Sequence, residues 1–530
     1  MAVLINLLDA SVFTTTPSGH YSLPGLMAAM ARDEIRGFPA QRPHQRPAWH
    51  MFLVQLAALA IWIDGRGDLP ETEAEWRALL LALTAGDAGP WALTGPDDKP
   101  AFMQPPAPRG LNWKPVATPD ALDLLITSRN HDLKQQIARV AAAEDWVFAL
   151  VSLQTMTPFG GRTNYGIARM SSSYSSRMMF GLAPALVGTF APNISRWWEK
   201  DTLLAVQLRR EGNLNAVGHE GGPALLWCLT WEKGACLDIT KLDPWFIEVA
   251  RRVRLHDIPA GTIEAKRVGS DAQRIDKSQT DQLKGAIGDL WSPIATNGSG
   301  CFNIAQKNLD YSTISSLLDS SEWEIPPLGK PTGFVAELLL VVEGIGGGQT
   351  KTFGFKSRII PIPAKARSLF GTETVATLAK TQVTEIHHFD EALRNALARL
   401  AADGAMLQDL NLDRKLLAKN YPRTTDARAR FDRAADRLFF PSLWDRLAES
   451  NTGSDAGYYR FIKALHKAAQ FELEADMPGI PCATLYRPRA EARARRAYVA
   501  RLRKAEFQFL FDTKATPEPP LVAEPEVADV

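Results

Sequence analysis

The sequence predicts an α+β protein, with a large mixed α/β domain over residues 1–372 and a four-helix bundle over residues 373–512. Its length of 530 residues exceeds that of one typical core, so two or more domains are expected. Apolar runs with β-branched residues alternate with helical stretches in the first part. From about residue 373 the chain becomes rich in Ala, Leu and Arg with helical periodicity. The acidic, Pro-rich end over residues 513–530 predicts a disordered tail.

The composition is that of a soluble globular protein, with 45% apolar and 22% charged residues. A net charge of +1 gives no global attraction to nucleic acid, so any such surface must come from local clusters. The four cysteines are widely spread and form no CxxC pair. This pattern argues against a zinc ribbon or a disulfide scaffold and suits a reducing cytoplasm, so we expect a cytoplasmic protein with no metal and no cofactor.

The N-terminal part predicts a short hairpin within residues 1–22, followed by helices near 24–35 and 48–63. The most apolar stretch, AWHMFLVQLAALAIWI, is shorter than the roughly 20 residues that span a bilayer. We interpret it as a buried core helix. Further along, ALLWCLTW, from Ala224 to Trp231, predicts a strand.

The stretch GIGGGQTKTFGF, from Gly344 to Phe355, has the glycine density of a phosphate-binding loop. Such loops lead from a strand into a helix, whose N-terminus supplies free N–H groups. Here the apolar run from Phe334 to Glu343 predicts one strand, and TKTFGFKSRIIPIP predicts a second. The stretch is therefore predicted as a β-hairpin whose glycine tip carries Gln349. A merely flexible turn is the alternative.

Four amphipathic helices with short connections are predicted after residue 373, which indicates an up-and-down bundle. The first has one apolar stripe, with spacings of 3, 4, 4 and 3 residues. Its members are Ile386, Phe389, Leu393, Leu397 and Leu400.

No convincing catalytic constellation is present in the sequence. NGSGC, from Asn297 to Cys301, lacks the first glycine of a nucleophile elbow. His387 and His388 are adjacent, so they point to different faces of a helix and lack metal-ligand spacing. GHEGG contains His219 and Glu220 without a second histidine four residues on. A hydrolase that uses one of these two residues, with the bundle for oligomerisation, is the alternative to a non-enzymatic protein.

Two basic segments are more informative. RPRAEARARRAYVARLRK carries eight cations against the single acid Glu491, which favours a phosphate backbone or an acidic partner over a solvated face. The candidate DNA-backbone residues on this helix are Arg493, Arg495, Arg496 and Arg503. In the loop FGGRTNYG, glycines allow close backbone approach beside the donors Arg162 and Asn164; a phosphate or groove contact and a tight structural turn are both compatible with it.

Together these features resemble the CasA family, the large subunit of the type I-E CRISPR surveillance complex Cascade. The resemblance covers most of the chain and lies in the order of short motifs: LINLLDASVF, LAALAIWI, PAFMQP, FGGRTNYG, LLLVVEGIGGGQT and the helical C-terminal part. It implies a non-catalytic subunit that reads the protospacer-adjacent motif in double-stranded DNA, helps open the duplex for R-loop formation and recruits a helicase–nuclease in antiviral defence. The implied partners are the other Cascade subunits, the guide RNA, target DNA and that nuclease, with no membrane.

The resemblance also implies site residues by position. Gln349, with Gly347 and Gly348, would form the wedge beside the first unwound base pair, and Gly160 and Gly161 the minor-groove glycine loop. Lys277 is chosen as the lysine finger, with Lys266 and Lys284 as rivals. The loop from Ser128 to Gln136 would contact the guide-RNA handle and neighbouring subunits, through Arg129, Asn130, His131 and Lys134. The chain lacks the cysteine cluster of some members, so no zinc is expected.

Overall fold

The computed structural model describes residues 5–122, 141–170, 176–213, 216–257, 262–305, 307–331, 337–348, 351–403, 414–450 and 453–511. The chain forms two compact units, Met1–Thr377 and Leu378–Val530. The boundary lies near the start of a helix that begins at Glu373. The predicted tail over 513–530 and the predicted contact loop over 128–136 lie outside the described residues.

Within the described residues, the first unit combines helices with four small sheets, in agreement with the predicted α+β class. Its described helices are α1 (Leu23–Ala31), α2 (Arg46–Asp64), α3 (Glu73–Ala82), α4 (Ala143–Met156), α5 (Ile194–Arg210), α6 (Lys277–Leu283), α7 (Tyr311–Leu317) and α8 (Ala364–Arg367). Helix α1 starts where Ser22 accepts a hydrogen bond from the backbone N–H of Gly25. Helix α2 ends at Gly65, which adopts φ 76°, the left-handed conformation that glycine tolerates best.

Helix α2 is the core helix that the sequence predicts. Every residue from Pro47 to Ile61 is buried. Together with the preceding turn it runs from Pro43 to Asp64, long and apolar enough by composition to cross a membrane, but 83% of its most apolar window is packed inside the protein. That burial is typical of the central helix of a globular core.

The polar side chains of α2 are paired with neighbouring elements. His50 Nε2 lies 2.9 Å from Asp201 Oδ2, and its ring stacks on Trp197 with centroids 3.9 Å apart. Lys200 Nζ lies 2.9 Å from the other oxygen of Asp201. Because a buried polar group without a partner is costly, the contacts of His50 with Asp201 and Trp197 fix α2 against α5.

The strands form two three-stranded antiparallel sheets and two two-stranded ribbons, in the orders β10-β9-β4, β3-β6-β5, β1-β2 and β7-β8. Their bounds are β1 (Phe13–Thr15), β2 (Gly19–Tyr21), β3 (Lys114–Val116), β4 (Met179–Pro184), β5 (Arg252–Asp257), β6 (Ile263–Val268), β7 (Ile294–Ala295), β8 (Trp323–Glu324), β9 (Leu338–Gly348) and β10 (Lys351–Ile362). The predicted N-terminal hairpin is confirmed as β1-β2.

The predicted strand at residues 224–231 is wrong. Leu226–Cys228 forms a 3₁₀ turn, and Leu225 makes an isolated parallel bridge to Ile247. The side chains of Leu226 and Trp227 are both fully buried, so consecutive residues enter the core. A strand with one buried face cannot do this, whereas a tight turn inside the core can.

The predicted hairpin is confirmed as β9-β10, but the predicted glycine tip is wrong. Gly344, Gly346, Gly347 and Gly348 are strand residues, and Gly348 pairs with Lys351. A Cβ on Gly346 would lie 2.1 Å from the backbone oxygen of Ala305. The four glycines therefore belong to a strand, and at Gly346 the neighbouring backbone leaves no room for a side chain.

The middle of β9 is anchored to α2 by a buried carboxylate. Glu343 is fully buried, and it accepts hydrogen bonds from the Arg46 guanidinium and from Ser357 Oγ, the latter at 2.7 Å. Burial lowers the pKa of Arg46. The ion pair thus fixes the direction in which the hairpin leaves the core.

The second unit is a four-helix bundle, as predicted. Its helices are α9 (Glu373–Asp403), the short α10 (Arg414–Asn420), α11 (Thr425–Ser450), α12 (Ala456–Asp476) and α13 (Arg487–Lys504). All five members of the predicted stripe on α9 are buried.

Contacts between neighbouring helices close the bundle. Gln382 on α9 donates to the carbonyl of Phe439 on α11 at 3.1 Å. Arg430 on α11 pairs with Glu472 on α12 at 2.6 Å. The remaining contacts join Arg495 on α13 to Glu474 on α12, and Arg501 on α13 to Glu391 on α9. Each of the four long helices therefore contacts two others through polar bonds as well as through the apolar core.

Candidate nucleic-acid interface

The glycine loop is a tight turn that presents two polar side chains to solvent. The backbone N–H of Gly160 donates to Asn164 O at 2.8 Å, and Asn164 N–H donates to Gly161 O at 3.0 Å. Gly161 has φ 108° and Thr163 has φ 69°, so two left-handed residues shape the turn. Arg162 and Asn164 are exposed, and neither side chain bonds to another described residue. Both are available to a ligand.

Three bonds hold this loop on its support. Thr163 O accepts from the backbone N–H of Ser270 at 2.9 Å, and Tyr165 Oη donates to Asp271 O at 3.4 Å. Arg251 Nη2 donates to Pro158 O at 3.0 Å. The loop is therefore attached to the segment that precedes α6, the helix of the candidate lysine.

The three candidate lysines differ in their surroundings. Lys277, the first residue of α6, is exposed and lies 3.2 Å from Asp281. Lys266 is engaged, because its Nζ lies 2.6 Å from Asp97 and 5.2 Å from the centre of the Trp113 ring. Lys284 is exposed at the left-handed end of α6, with φ 48°. Lys277 and Lys284 thus remain the more accessible candidates.

A continuous series of contacts links the glycine loop, α6 and the hairpin. Lys284 O accepts from Cys301 N–H at 3.0 Å, and the chain then runs to Ala305, which packs against Gly346 of β9. On the other side, Ser176 Oγ accepts from Ile345 N–H at 2.7 Å. The structure therefore joins three predicted elements that are far apart in sequence.

Gly347 and Gly348 end β9, and Gln349 lies outside the described residues. Arg129, Asn130, His131 and Lys134 of the predicted guide-RNA loop also lie outside them.

Sequence reasoning missed a buried ionic network behind the glycine loop. Arg177 makes two bonds to Asp289, at 2.6 and 3.1 Å, and a third to Gln55 at 2.9 Å. Arg169, a few residues after the loop, lies 3.5 Å from Asp289 and 3.2 Å from Glu248. Single charged residues in apolar surroundings were the available signal, but their partners lie 79 to 122 positions away.

The network shifts the pKa of each carboxyl differently. Burial raises the pKa of Glu248 above its ordinary value, although Arg169 opposes this change. For Asp289, burial acts in the same direction, but Arg177 and Arg169 outweigh it, so the pKa of Asp289 lies below its ordinary value. Asp289 is thus the firmly ionised centre of the network.

The cationic helix α13 requires a correction. Its sequence contains one acid, but neighbouring helices supply others: Arg495 forms two bonds to Glu474, at 2.7 and 2.8 Å, and Arg501 pairs with Glu391. Half-buried Arg493 also has a polar or electrostatic contact within the protein. These arginines are therefore partly neutralised by the bundle.

A different set of arginines on α13 faces solvent. Arg489, Arg496 and Arg503 are exposed and spaced seven residues apart, so they lie on one face of the helix. Arg489 contacts the Tyr486 ring and Arg503 the Phe511 ring, while Arg496 has no partner among the described residues. We call these three residues the arginine stripe.

The residues of the hydrolase alternative have structural contacts. A Cβ on Gly222 would lie 2.3 Å from Lys241 O, and one on Gly218 would lie 2.6 Å from Leu242 O, so GHEGG is a turn packed against another backbone segment. The exposed Glu220 lies 3.3 Å from Arg209. Within the described residues, no three His, Cys, Asp or Glu side chains are placed to hold a metal ion.

In the second unit, the acidic neighbours of His387 and His388 form ion pairs of the bundle. Glu385 bonds Arg446, and Asp390 bonds Arg428 with both oxygens at 2.7 Å. His387 lies 3.8 Å from Glu391.

No protein-family model and no curated protein matches this chain. Solved structures do match it in fold. CasA from Thermus thermophilus aligns with a TM-score of 0.65 and 14% identity, over 95% of this chain and 100% of that one. Cse1 from Acidimicrobium ferrooxidans, a CRISPR-associated protein, aligns with a TM-score of 0.62 and 15% identity, over 96% and 99% of the two chains. Thermobifida fusca Cse1 aligns with a TM-score of 0.54 and 13% identity, over 94% and 98%. The chain therefore has the fold of the CasA (Cse1) structures over nearly its whole length, the fold that its motifs predict.

Proposed function

We propose that this protein is the non-catalytic large subunit of a type I-E CRISPR RNA-guided surveillance complex, Cascade. It reads the protospacer-adjacent motif in double-stranded DNA, helps unwind the target for R-loop formation and recruits the helicase–nuclease in antiviral defence. Its partners are the other Cascade subunits, the guide RNA and the target DNA, in the cytoplasm. The observation that carries the proposal is the CasA fold. The structural match extends over both units of this chain and over almost the whole length of the CasA and Cse1 chains.

The geometry of the glycine loop supports the reading of duplex DNA. The minor groove is narrow and offers few distinguishing donors and acceptors, so a backbone turn with small residues suits it better than a recognition helix. Gly160 and Gly161 provide that turn, and exposed Arg162 and Asn164 provide free donors beside it. Lys277 is the proposed lysine finger, on the helix that follows the support of the loop.

The hairpin β9-β10 supports a role in duplex opening. Its two strands are paired up to Gly348 and Lys351, so the connection between them consists of Gln349 and Thr350. A side chain inserted at a base step kinks and unstacks the duplex, which costs a few kcal/mol that new contacts offset. Sequence specificity beyond the short motif is then left to pairing between guide and target.

Co-expression with the other Cascade subunits and a guide RNA tests the proposal. We expect native mass spectrometry to show this chain in one assembly with them, and the assembly to bind duplex DNA that carries the adjacent motif. The guide loop at Arg129, Asn130, His131 and Lys134 should cross-link to the handle RNA or to a neighbouring subunit. A chain that hydrolyses substrates alone and joins no assembly would identify the hydrolase alternative instead.

The arginine stripe is expected to supply non-specific DNA affinity. Changing Arg489, Arg496 and Arg503 to glutamate should weaken binding of the complex to all duplex sequences alike. It should also lower the slope of log affinity against log salt by about 2 to 3, because each phosphate contact contributes about 0.9. Arg495 is left unchanged, since its replacement would place a second acid beside Glu474. The measurement is fluorescence anisotropy of labelled DNA over a series of salt concentrations.

A matched control reverses three other exposed cations of the same bundle, Arg433, Arg437 and Lys463, with the same change in net charge. We expect this variant to keep the wild-type salt slope. If affinity and salt slope fall equally in the two variants, net charge and not the arginine stripe attracts DNA.

A further inference from the structure

Unlike Arg169 and Arg177, Arg251 is not neutralised by a carboxylate of a described residue. Its Nη2 donates to Pro158 O at 3.0 Å and its Nη1 to Ala250 O at 3.3 Å. No ion pair joins it to a described residue, whereas Arg169 and Arg177 share Asp289. A cation that is bonded only to carbonyls keeps its full charge and its attraction for an anion.

The backbone that carries Arg251 is held rigidly. The side-chain amide of Gln154 accepts from the N–H groups of Ala250 and Arg251, at 2.9 and 2.8 Å. The same amide donates to Arg251 O at 2.9 Å. Little conformational freedom remains to be lost when a ligand binds the guanidinium, which favours binding.

Gly160 of the loop lies directly against this guanidinium. A Cβ at that position would lie 3.5 Å from Arg251 Nη2, in van der Waals contact. A guanidinium has five N–H donors, and the two carbonyl bonds leave others free. Each side-chain nitrogen of Arg251 either has a hydrogen-bond partner or reaches solvent. By contrast, Nε of Arg254 and Nε of Arg274 are buried without a hydrogen-bond partner.

A second cation strengthens the positive potential there. Burial and, to a smaller extent, the nearby charge of Arg267 together lower the pKa of Arg251 to about 9. Arg251 is still protonated at neutral pH, and an arriving anion would relieve the repulsion between the two arginines. The fixed position and the unneutralised charge therefore suit a phosphate group better than any other common biological anion on a polymer.

We propose that Arg251 contacts a backbone phosphate of the duplex beside Gly160 of the glycine loop. The proposal rests on the proposed function, because it takes the loop to be the surface that meets DNA. The half-buried Arg251 would then have two roles, because it holds the loop through Pro158 O and also binds DNA.

The test compares Arg251→Gln with Arg252→Gln in the assembled complex. Arg252 is the matched control, because it is the next residue, is buried and also donates to two carbonyls, those of Trp231 and Glu232. We expect Arg251→Gln to lower affinity for motif-bearing duplex about tenfold and the salt slope by about 0.9, the value for one phosphate. Arg251→Lys should keep the slope, and Arg252→Gln should not change it.

Gly160→Ala provides a second variant that keeps the arginine and partly covers it. It should lower the salt slope in the wild-type background but not further in the Arg251→Gln background. The inference is overturned if Arg251→Gln leaves the salt slope unchanged, or if Arg252→Gln lowers the salt slope as much as Arg251→Gln does. If the wild-type complex does not distinguish motif-bearing duplex from other duplex, the proposed function fails instead.

Discussion

Replacing Gln349 by alanine is expected to slow R-loop formation on fully paired targets about 10- to 100-fold, because the unstacking of the first base step, a few kcal/mol, is no longer offset. The glutamine amide has both donor and acceptor groups and a flat face, so it can stack on a base pair without demanding one base. Assembly of the complex and its melting temperature should stay unchanged, because the proposed contact of Gln349 is to DNA and not to the rest of the protein.

The decisive measurement uses two targets. On duplex that is already mismatched beside the adjacent motif, the variant should form R-loops at the wild-type rate, since the unstacking cost is absent there. Thr350→Ala, at the other position between β9 and β10, is the matched control and should behave as wild type on both targets. If the rate of R-loop formation falls by the same factor on paired and on mismatched targets, Gln349 is a general contact and not a wedge.

The hairpin that precedes Gln349 shows how far sequence reasoning reaches. β-branched alternation on both sides of the glycines was sufficient to predict two strands and to exclude a phosphate loop. The glycines themselves predict a tip, because a high density of glycine usually marks a turn. In the structure Gly346 is paired with Gly354, and its missing side chain makes room for Ala305, more than 40 residues earlier. Such a close approach depends on the tertiary structure, and the local sequence gives no signal of it.

The C-terminal helix illustrates the opposite error. The excess of arginine on α13 was visible, and helical periodicity predicted the bundle correctly. Which arginines are free could not be predicted, because Glu474 and Glu391 belong to other helices. Once the helices are packed, the exposed arginines of α13 that form no ion pair with a described residue are the stripe at Arg489, Arg496 and Arg503, and these include only two of the four candidate arginines.

The support of the glycine loop was beyond sequence reasoning for the same reason. The loop residues could be selected, since FGGRTNYG is a compact motif. The fixed guanidinium of Arg251 and the ionic network at Asp289 depend on contacts between distant segments. At Asp289 a single acid in an apolar stretch is a signal in the sequence, but this signal does not identify a partner, and Arg251 is not distinguished in the sequence from Arg252 beside it.

Changing Asp289 to asparagine is expected to destabilise the first unit by about 3–5 kcal/mol, the usual cost of removing one partner of a buried ion pair. Arg177 and Arg169 are 3% exposed and would both lose their shared carboxylate. Glu34→Gln is the matched control, because Arg32 and Glu34 form a similar two-bond pair at 2.8 and 2.9 Å but are 40% and 44% exposed. An exposed pair contributes less than about 1 kcal/mol, so the control should stay close to wild type.

Tryptophan fluorescence during urea unfolding reports on this unit, since of the 14 tryptophans only Trp444 follows residue 377. The pKa of Asp289 lies below its ordinary value of 3.8, so its ionised form stabilises the fold. That contribution is fully present above pH 3.8 and is lost as the pH falls through the lower pKa of the folded state. The difference between wild type and Asp289→Asn should therefore be constant from pH 7 down to about pH 5 and shrink in stronger acid. A variant as stable as Glu34→Gln at pH 7 would show that Gln55 and Glu248 suffice to hold the two arginines, and that Asp289 is not the centre of the network.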